Sequence, residues 1–388
     1  FAVFNKDVLS NHFIVISNSK TNDFSHVIAG NEKDLRPRLA DGMFFYKNDL
    51  RVGLQNEGLK KLVFVEGLGS MHDKLQREVK IAQYLADAYN ITNKEDIKKA
   101  VLMAKSDLMS EMVYEFTELQ GLMGYYYAKA AGENEDIYTA IKEQYLPDGE
   151  DSDLPSSVFS SIIALSYKLD NLMGLFSVGK IPTGSKDPFG LRRAASGIVK
   201  IVIEHKLSFD LNKLISNLAS NYQGLNTKQL EGFFNERLFK IFDVNPSVLK
   251  AVLGSGEKDI FNISKKLCAL NPFVLENDFK NHVATFKRVA NIIKDLDLSK
   301  ELIIKETLLS DKEELTLFAE YSKIVSKEYT CYEEELKALF ALKPALDAFF
   351  NNVFVNHEDD NIKNNRKNLI ALVYLAFRNI ADIKEITI

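Results

Sequence analysis

The chain has 388 residues, of which 46% are hydrophobic and 27% charged, enough for two or three domains, each with its own core. With 19 Gly and 8 Pro, collagen-like repeats and long disordered linkers are excluded. Lys and Arg number 49 against 54 Asp and Glu, for a net charge of −5; this excludes a general basic coat for duplex DNA but not a local basic site.

The chain opens at Phe1 with strand-like residues (Ala2, Phe4, Phe13, Val15) and no secretory signal. That start predicts a piece of a longer protein. Residues 1–65 carry short β-branched or alternating runs, HFIVIS (12–17), SHVIAG (25–30) and KLVFVE (61–66), between Asn and Gly turns. These predict the β-containing part of the chain.

From about residue 70 the spacing turns helical. Leu75, Val79, Ala82, Leu85, Ala86 and Tyr89 share one face, as an amphipathic helix requires. Further helical segments follow, broken near 90–95, 132–135, 147–155, 179–188, 254–258 and 309–312, with no solenoid period. The expected fold is mainly α with a small N-terminal β-containing segment. The longest apolar run, 369–377, is about half of what a membrane span needs, so no membrane partner is expected. Cys268 and Cys331 are too widely separated to suggest a disulfide framework or a zinc site, which fits a reducing cytoplasm.

Four segments are candidates for chemistry. His72-Asp73 has the dipeptide of metal-dependent HD phosphohydrolases, but the other histidines are scattered; a helix start with Asp73 on its favourable end is the better account of the pair. In GKIPTGSKDPFGLRR (179–193), Asp187-Pro188 predicts an N-cap and first helical position. A helix starting there would bring Lys186, Arg192 and Arg193 together as a phosphate contact or interface; an ordinary helix start with surface Arg residues is the plain alternative. The Gly179/Gly184 spacing matches a Walker A loop, but Gly-Ser-Lys stands where Gly-Lys-Ser/Thr is needed. In TFKRVANI (285–292), Lys287, Arg288 and Asn291 are expected on an exposed face, with Phe286, Val289 and Ile293 inward. In NIKNNRKNLIAL (361–372), Lys363, Asn365, Arg366 and Lys367 precede an apolar stripe. Amides beside cations suit single-stranded RNA; a solvated helix face is the plain alternative. No nucleophilic triad or elbow is present.

Several of these runs together resemble one family, the β subunit of bacterial heterotetrameric glycyl-tRNA synthetase. They are AGNEKDLRPRLADGMFFYKND (29–49), LGSMHDKLQR (68–77), AKSDLMSEMVYEFTELQGLMG (104–124), PTGSKDPFGLRRAASGI (182–198), FKRVANI (286–292) and FFNNVFVNHEDDNIKNNRKNL (349–369). The resemblance implies a C-terminal portion of that subunit, a tRNA(Gly) partner and an α subunit in an α2β2 assembly. ATP and Mg would be used by the α subunit, so no cofactor and no catalytic residue is expected here. It further implies a β-containing remnant at 1–65, a helical HD-like domain at 66–205, a connector at 206–275 and a helical anticodon-binding domain at 276–388. The HD-like metal motif would fall at Lys105-Ser106-Asp107, where the His is absent, and Tyr167 replaces an expected Asp. No metal site is therefore expected. The reading is of a cytoplasmic tRNA-binding part of a ligase, with no DNA partner; the alternatives are an HD-type phosphohydrolase or a scaffold that docks the α subunit.

Overall fold

The computed structural model describes residues 1–18, 20–276 and 279–387. It is mainly helical, with two small antiparallel ribbons. In the first, β1 (Ala2–Asn5) pairs with β2 (Val8–Phe13) in the register Phe4↔Leu9. The second, β3 (Val63–Val65) with β4 (Gly69–Ser70), lies beside α2. The strand expected at 25–30 is instead the start of α1 (Ser25–Val52), and of the 12–17 run only His12 and Phe13 are in a strand. α1 outlasts its β-branched start because its later stretch supplies Ala, Leu, Arg, Met and Lys, all good helix formers. It stops at Gly53, whose φ of 74° most side chains avoid. Its one buried residue, Asp49, accepts the N–H groups of Glu111 (2.9 Å) and Met112 (3.0 Å) and the Tyr127 hydroxyl (2.7 Å), docking α1 on the next layer.

The next helices are α2 (Met71–Ala88), α3 (Lys94–Met103), α4 (Glu111–Glu115), α5 (Leu122–Ala130), α6 (Glu135–Glu143), α7 (Val158–Ser177) and α8 (Leu191–Glu204). α7 is apolar almost all round and buried along its length, which makes it a core helix; α2, α3, α6 and α8 pack around it. α2 starts with a reciprocal capping box between Ser70 and Asp73. The expected face of α2 is the buried one, except that Tyr89 sits half-buried just past its end.

α9 (Leu211–Leu218), α10 (Thr227–Ile241) and α11 (Pro246–Gly254) lead to the C-terminal helices: α12 (Ile260–Val274), α13 (Phe279–Ile292), α14 (Lys312–Val325), α15 (Tyr332–Phe340), α16 (Lys343–Asn352) and α17 (Asp360–Arg378). Their centre is aromatic: Phe377 lies 4.2 Å from Phe286 and 5.2 Å from Phe340 between centroids. One set of buried apolar side chains in mutual contact runs from Leu59 to Ile386. Among the described residues no helix is long and apolar enough to cross a membrane.

Candidate functional site

The structure separates the expected RNA-contact residues into a locked group and an open group. Arg366, on α17, is 4% exposed. Its Nε donates to Glu314 Oε1 (2.6 Å), its Nη2 to Asp311 Oδ2 (2.8 Å) and its Nη1 to the Phe354 carbonyl (2.8 Å). Glu314 is itself fully buried and accepts the N–H groups of Ser310 and Asp311 at the start of α14. Asn365 is buried and reads the backbone of Lys305 in both directions, accepting its N–H (2.8 Å) and donating to its carbonyl (3.2 Å). Lys367, also buried, pairs with Asp295 at 2.8 Å. Lys363 is half-buried and pairs with Asp360 one turn back. The expectation of an open RNA-reading face on α17 is thus corrected: this polar row staples the irregular 295–311 segment to the bundle. Cations bring donors, and the segment's unpaired carbonyls and carboxylates need them.

α13 differs. Phe286, Val289 and Ile293 are buried as the spacing predicts, Arg288 and Asn291 are exposed, and Lys287 is half-buried. The Arg288 guanidinium lies over the Phe350 ring, 4.5 Å from its centroid, with one long bond to the Phe350 carbonyl (3.4 Å). Most of its guanidinium donors therefore remain available.

In the 179–193 loop the helix begins at Leu191, three residues later than expected, with Gly190 at φ 64° as its cap. Pro188 stays outside. Asp187 nevertheless serves the helix end: its carboxylate accepts the N–H groups of Leu191 and Arg192, both at 2.9 Å. The donors expected to attract phosphate are thereby taken. Arg192 donates to the Gly184 carbonyl (2.7 Å), which stabilises the loop, while Lys186 and Arg193 are exposed.

His72-Asp73 begins α2 as the plain reading had it, since Asp73 is occupied by the Ser70 backbone and hydroxyl, each at 2.8 Å. Among the described residues no group of three His, Cys, Asp or Glu could hold a metal ion.

Between α2 and α7 lies a buried ionic centre whose members the sequence could not assemble. Lys74 Nζ reaches Asp170 (2.8 Å), Asn171 (2.7 Å) and Glu78 (3.0 Å). Arg77 adds a 2.7 Å bond to Asp170 and one of 2.9 Å to the Leu68 carbonyl, and the Tyr222 hydroxyl donates to Asp170 at 2.7 Å. Burial alone would neutralise these groups. Instead Asp170 and Glu78 outweigh it at Lys74, whose pKa rises, and Lys74 and Arg77 outweigh it at Asp170, whose pKa falls. Lys105, fully buried one layer away, is lowered to about 7, first by burial and then by its cationic neighbours Lys74 and Lys168, against the pull of Glu78 and Asp107. The local signal was Lys74 and Glu78 at i,i+4 among apolar neighbours; the second carboxylate on Lys74, that of Asp170, lies 96 residues away.

The family model described as glycyl-tRNA synthetase beta subunit matches residues 1–254. The glycine–tRNA ligase beta subunit of Helicobacter pylori (strain Shi470) is 44% identical over 409 residues, which include all of this chain and 58% of that protein. The proteins of the same name from Sulfurihydrogenibium sp. and Pseudomonas fluorescens are 37% and 36% identical, each over 96% of this chain and 55% and 56% of their own length. The chain thus spans somewhat more than half the length of the curated relatives it matches. Since the family model accounts for residues 1–254 and these relatives align along nearly the whole chain, the chain belongs to the glycyl-tRNA synthetase β-subunit family.

Proposed function

We propose that this chain is a tRNA-binding part of a glycine–tRNA ligase. It orients tRNA(Gly) while a separate α subunit, using ATP and Mg, forms the ester in the cytoplasm. The observation that carries this reading is the family match together with an exposed, lightly paired cation–amide face on α13. Within it, residues 276–388 serve as the anticodon module and 66–205 as an HD-like support. Lys287, Arg288 and Asn291 engage the anticodon arm, and Lys186 and Arg193 stand ready for backbone phosphates. The work is positioning, not bond chemistry.

A salt titration of tRNA(Gly) binding tests this. Arg288→Ala should weaken binding several-fold and shrink the log–log salt slope by about 0.9 for the lost phosphate contact. An unchanged slope removes α13 from the interface.

A second reading, a scaffold that docks the α subunit, has its own observation. Phe4, Val8, Leu9 and Ile16 on the first ribbon and its exit, and Ile28, Leu39 and Phe44 on α1, are each more than half exposed. Such a concentration of apolar surface suits a protein partner. Loss of α-subunit association in Phe44→Ser, with tRNA binding intact, would support it.

A further inference from the structure

We propose that the cleft between the 145–148 turn, α7 and the first turn of α8 binds a nucleoside monophosphate. Its phosphate lies between Lys168 and Arg193, and its base rests on Tyr145 and Phe189. The cleft holds about 420 Å³, within the usual range of small-ligand sites. Lys168 is 3% exposed and lines it. Two of the three Lys168 ammonium protons go to the carbonyls of Tyr145 (3.0 Å) and Pro147 (2.9 Å), leaving one donor. Arg193 stands at the rim with a single long contact, 3.5 Å to the Asp148 carbonyl. The two cations sense each other: burial first, then Arg193, lowers Lys168 to about 8, with Asp148 opposing. An anion between them relieves that repulsion and gives the buried ammonium a charged partner.

The walls supply the rest. Tyr145 and Tyr167 meet edge to face, centroids 5.0 Å apart, and the Lys105 ammonium lies 3.9 and 4.3 Å from their centroids. Phe189 stands at the mouth with 42% of its surface in water, a ring for a base to cover. Glu118 and Asp148 also line the cleft. They disfavour a polyanion and accept hydrogen bonds from ribose hydroxyls or an exocyclic amine, so they select one anionic group on a donor-rich body. This inference does not rest on the tRNA reading, because its ligand is tested as a small molecule. The nucleotide is either free or the terminal one of an RNA.

Isothermal titration of the whole chain with AMP, GMP, CMP and UMP, against their nucleosides and inorganic phosphate, decides the matter. At least one monophosphate should bind saturably, about tenfold or more tighter than its nucleoside and than phosphate. Arg193→Gln and Phe189→Ala, at exposed positions, should each weaken it by about tenfold without changing the melting curve. Competition by a short single-stranded RNA would assign the site to an RNA end; lack of competition would assign it to free nucleotide. No saturable binding, phosphate binding as tightly as any nucleotide, or indifference to Arg193→Gln overturns the proposal.

Discussion

Arg366 shows how residue type and residue role part company. A guanidinium beside an Asn on a helix suits RNA recognition, yet its three bonds here go to Glu314, Asp311 and Phe354. Arg366→Ala removes the cation paired with the buried Glu314, so thermal or urea unfolding should show a loss of about 3–5 kcal/mol. Arg366→Lys should rescue little of it, because an ammonium cannot span three acceptors in the guanidinium fork. Tight tRNA binding by a fully stable Arg366→Ala protein would contradict this role. Lys105 makes a different prediction. Its folded pKa, about 7, lies below the ordinary lysine value of 10.5, so above pH 7 the unfolded chain holds a proton that the folded chain has lost. The penalty of burying this lysine is complete below about pH 7 and fades between there and about 10.5. The melting temperature of wild type relative to Lys105→Met should therefore rise over that window; a flat difference would place Lys105's titration elsewhere.

At the level of elements, the N-terminus of α8 is the informative case. Asp187-Pro188 reads as a cap and first position, but the chain makes one more turn through Phe189 and Gly190 before the helix begins. Asp187 then caps from four and five residues away, through the N–H groups of Leu191 and Arg192. The capping chemistry was legible in the sequence; the register was not, because Gly190 permits a left-handed step that local preference cannot anticipate. Asp187→Ala should cost about 1 kcal/mol, as lost helix caps do, measured by chemical denaturation. It should also free those donors, so a gain in inorganic phosphate binding by the variant would confirm that the carboxylate now occupies an anion position. A variant as stable as wild type would show that the cap is dispensable. α1 carries the same lesson: SHVIAG is β-prone alone but is overruled by the helix formers that follow and by Asp49, which anchors the far end of the helix.

Across the whole molecule, α2 and α7 are joined by the buried Lys74–Asp170–Arg77 centre. Asp170→Asn should destabilise the chain by about 3–5 kcal/mol, since two cations lose their shared counter-charge. Replacing Lys74 with Met in that background should recover part of the loss. Because the folded pKa of Asp170 is depressed below 3.8, its stabilisation is present above that value and is lost as pH falls through the folded pKa. Asp170→Asn should accordingly show a shallower acid-unfolding limb. An acid limb identical to wild type would show that other carboxylates control acid unfolding.

Periodicity and composition by themselves determined that the chain is mainly helical, that α2 buries Leu75, Val79 and Leu85, and that α13 turns Phe286 and Val289 inward; the family resemblance came from the specific motif runs instead. These depend on neighbours a few residues apart, and local spacing records them. Whether a cation faces water or a carboxylate depends on chain segments far away: Asp170 for Lys74, Glu314 for Arg366, Asp295 for Lys367. Only the tertiary structure brings such partners within hydrogen-bond reach, and so only it could turn the polar row on α17 from an RNA surface into an internal brace.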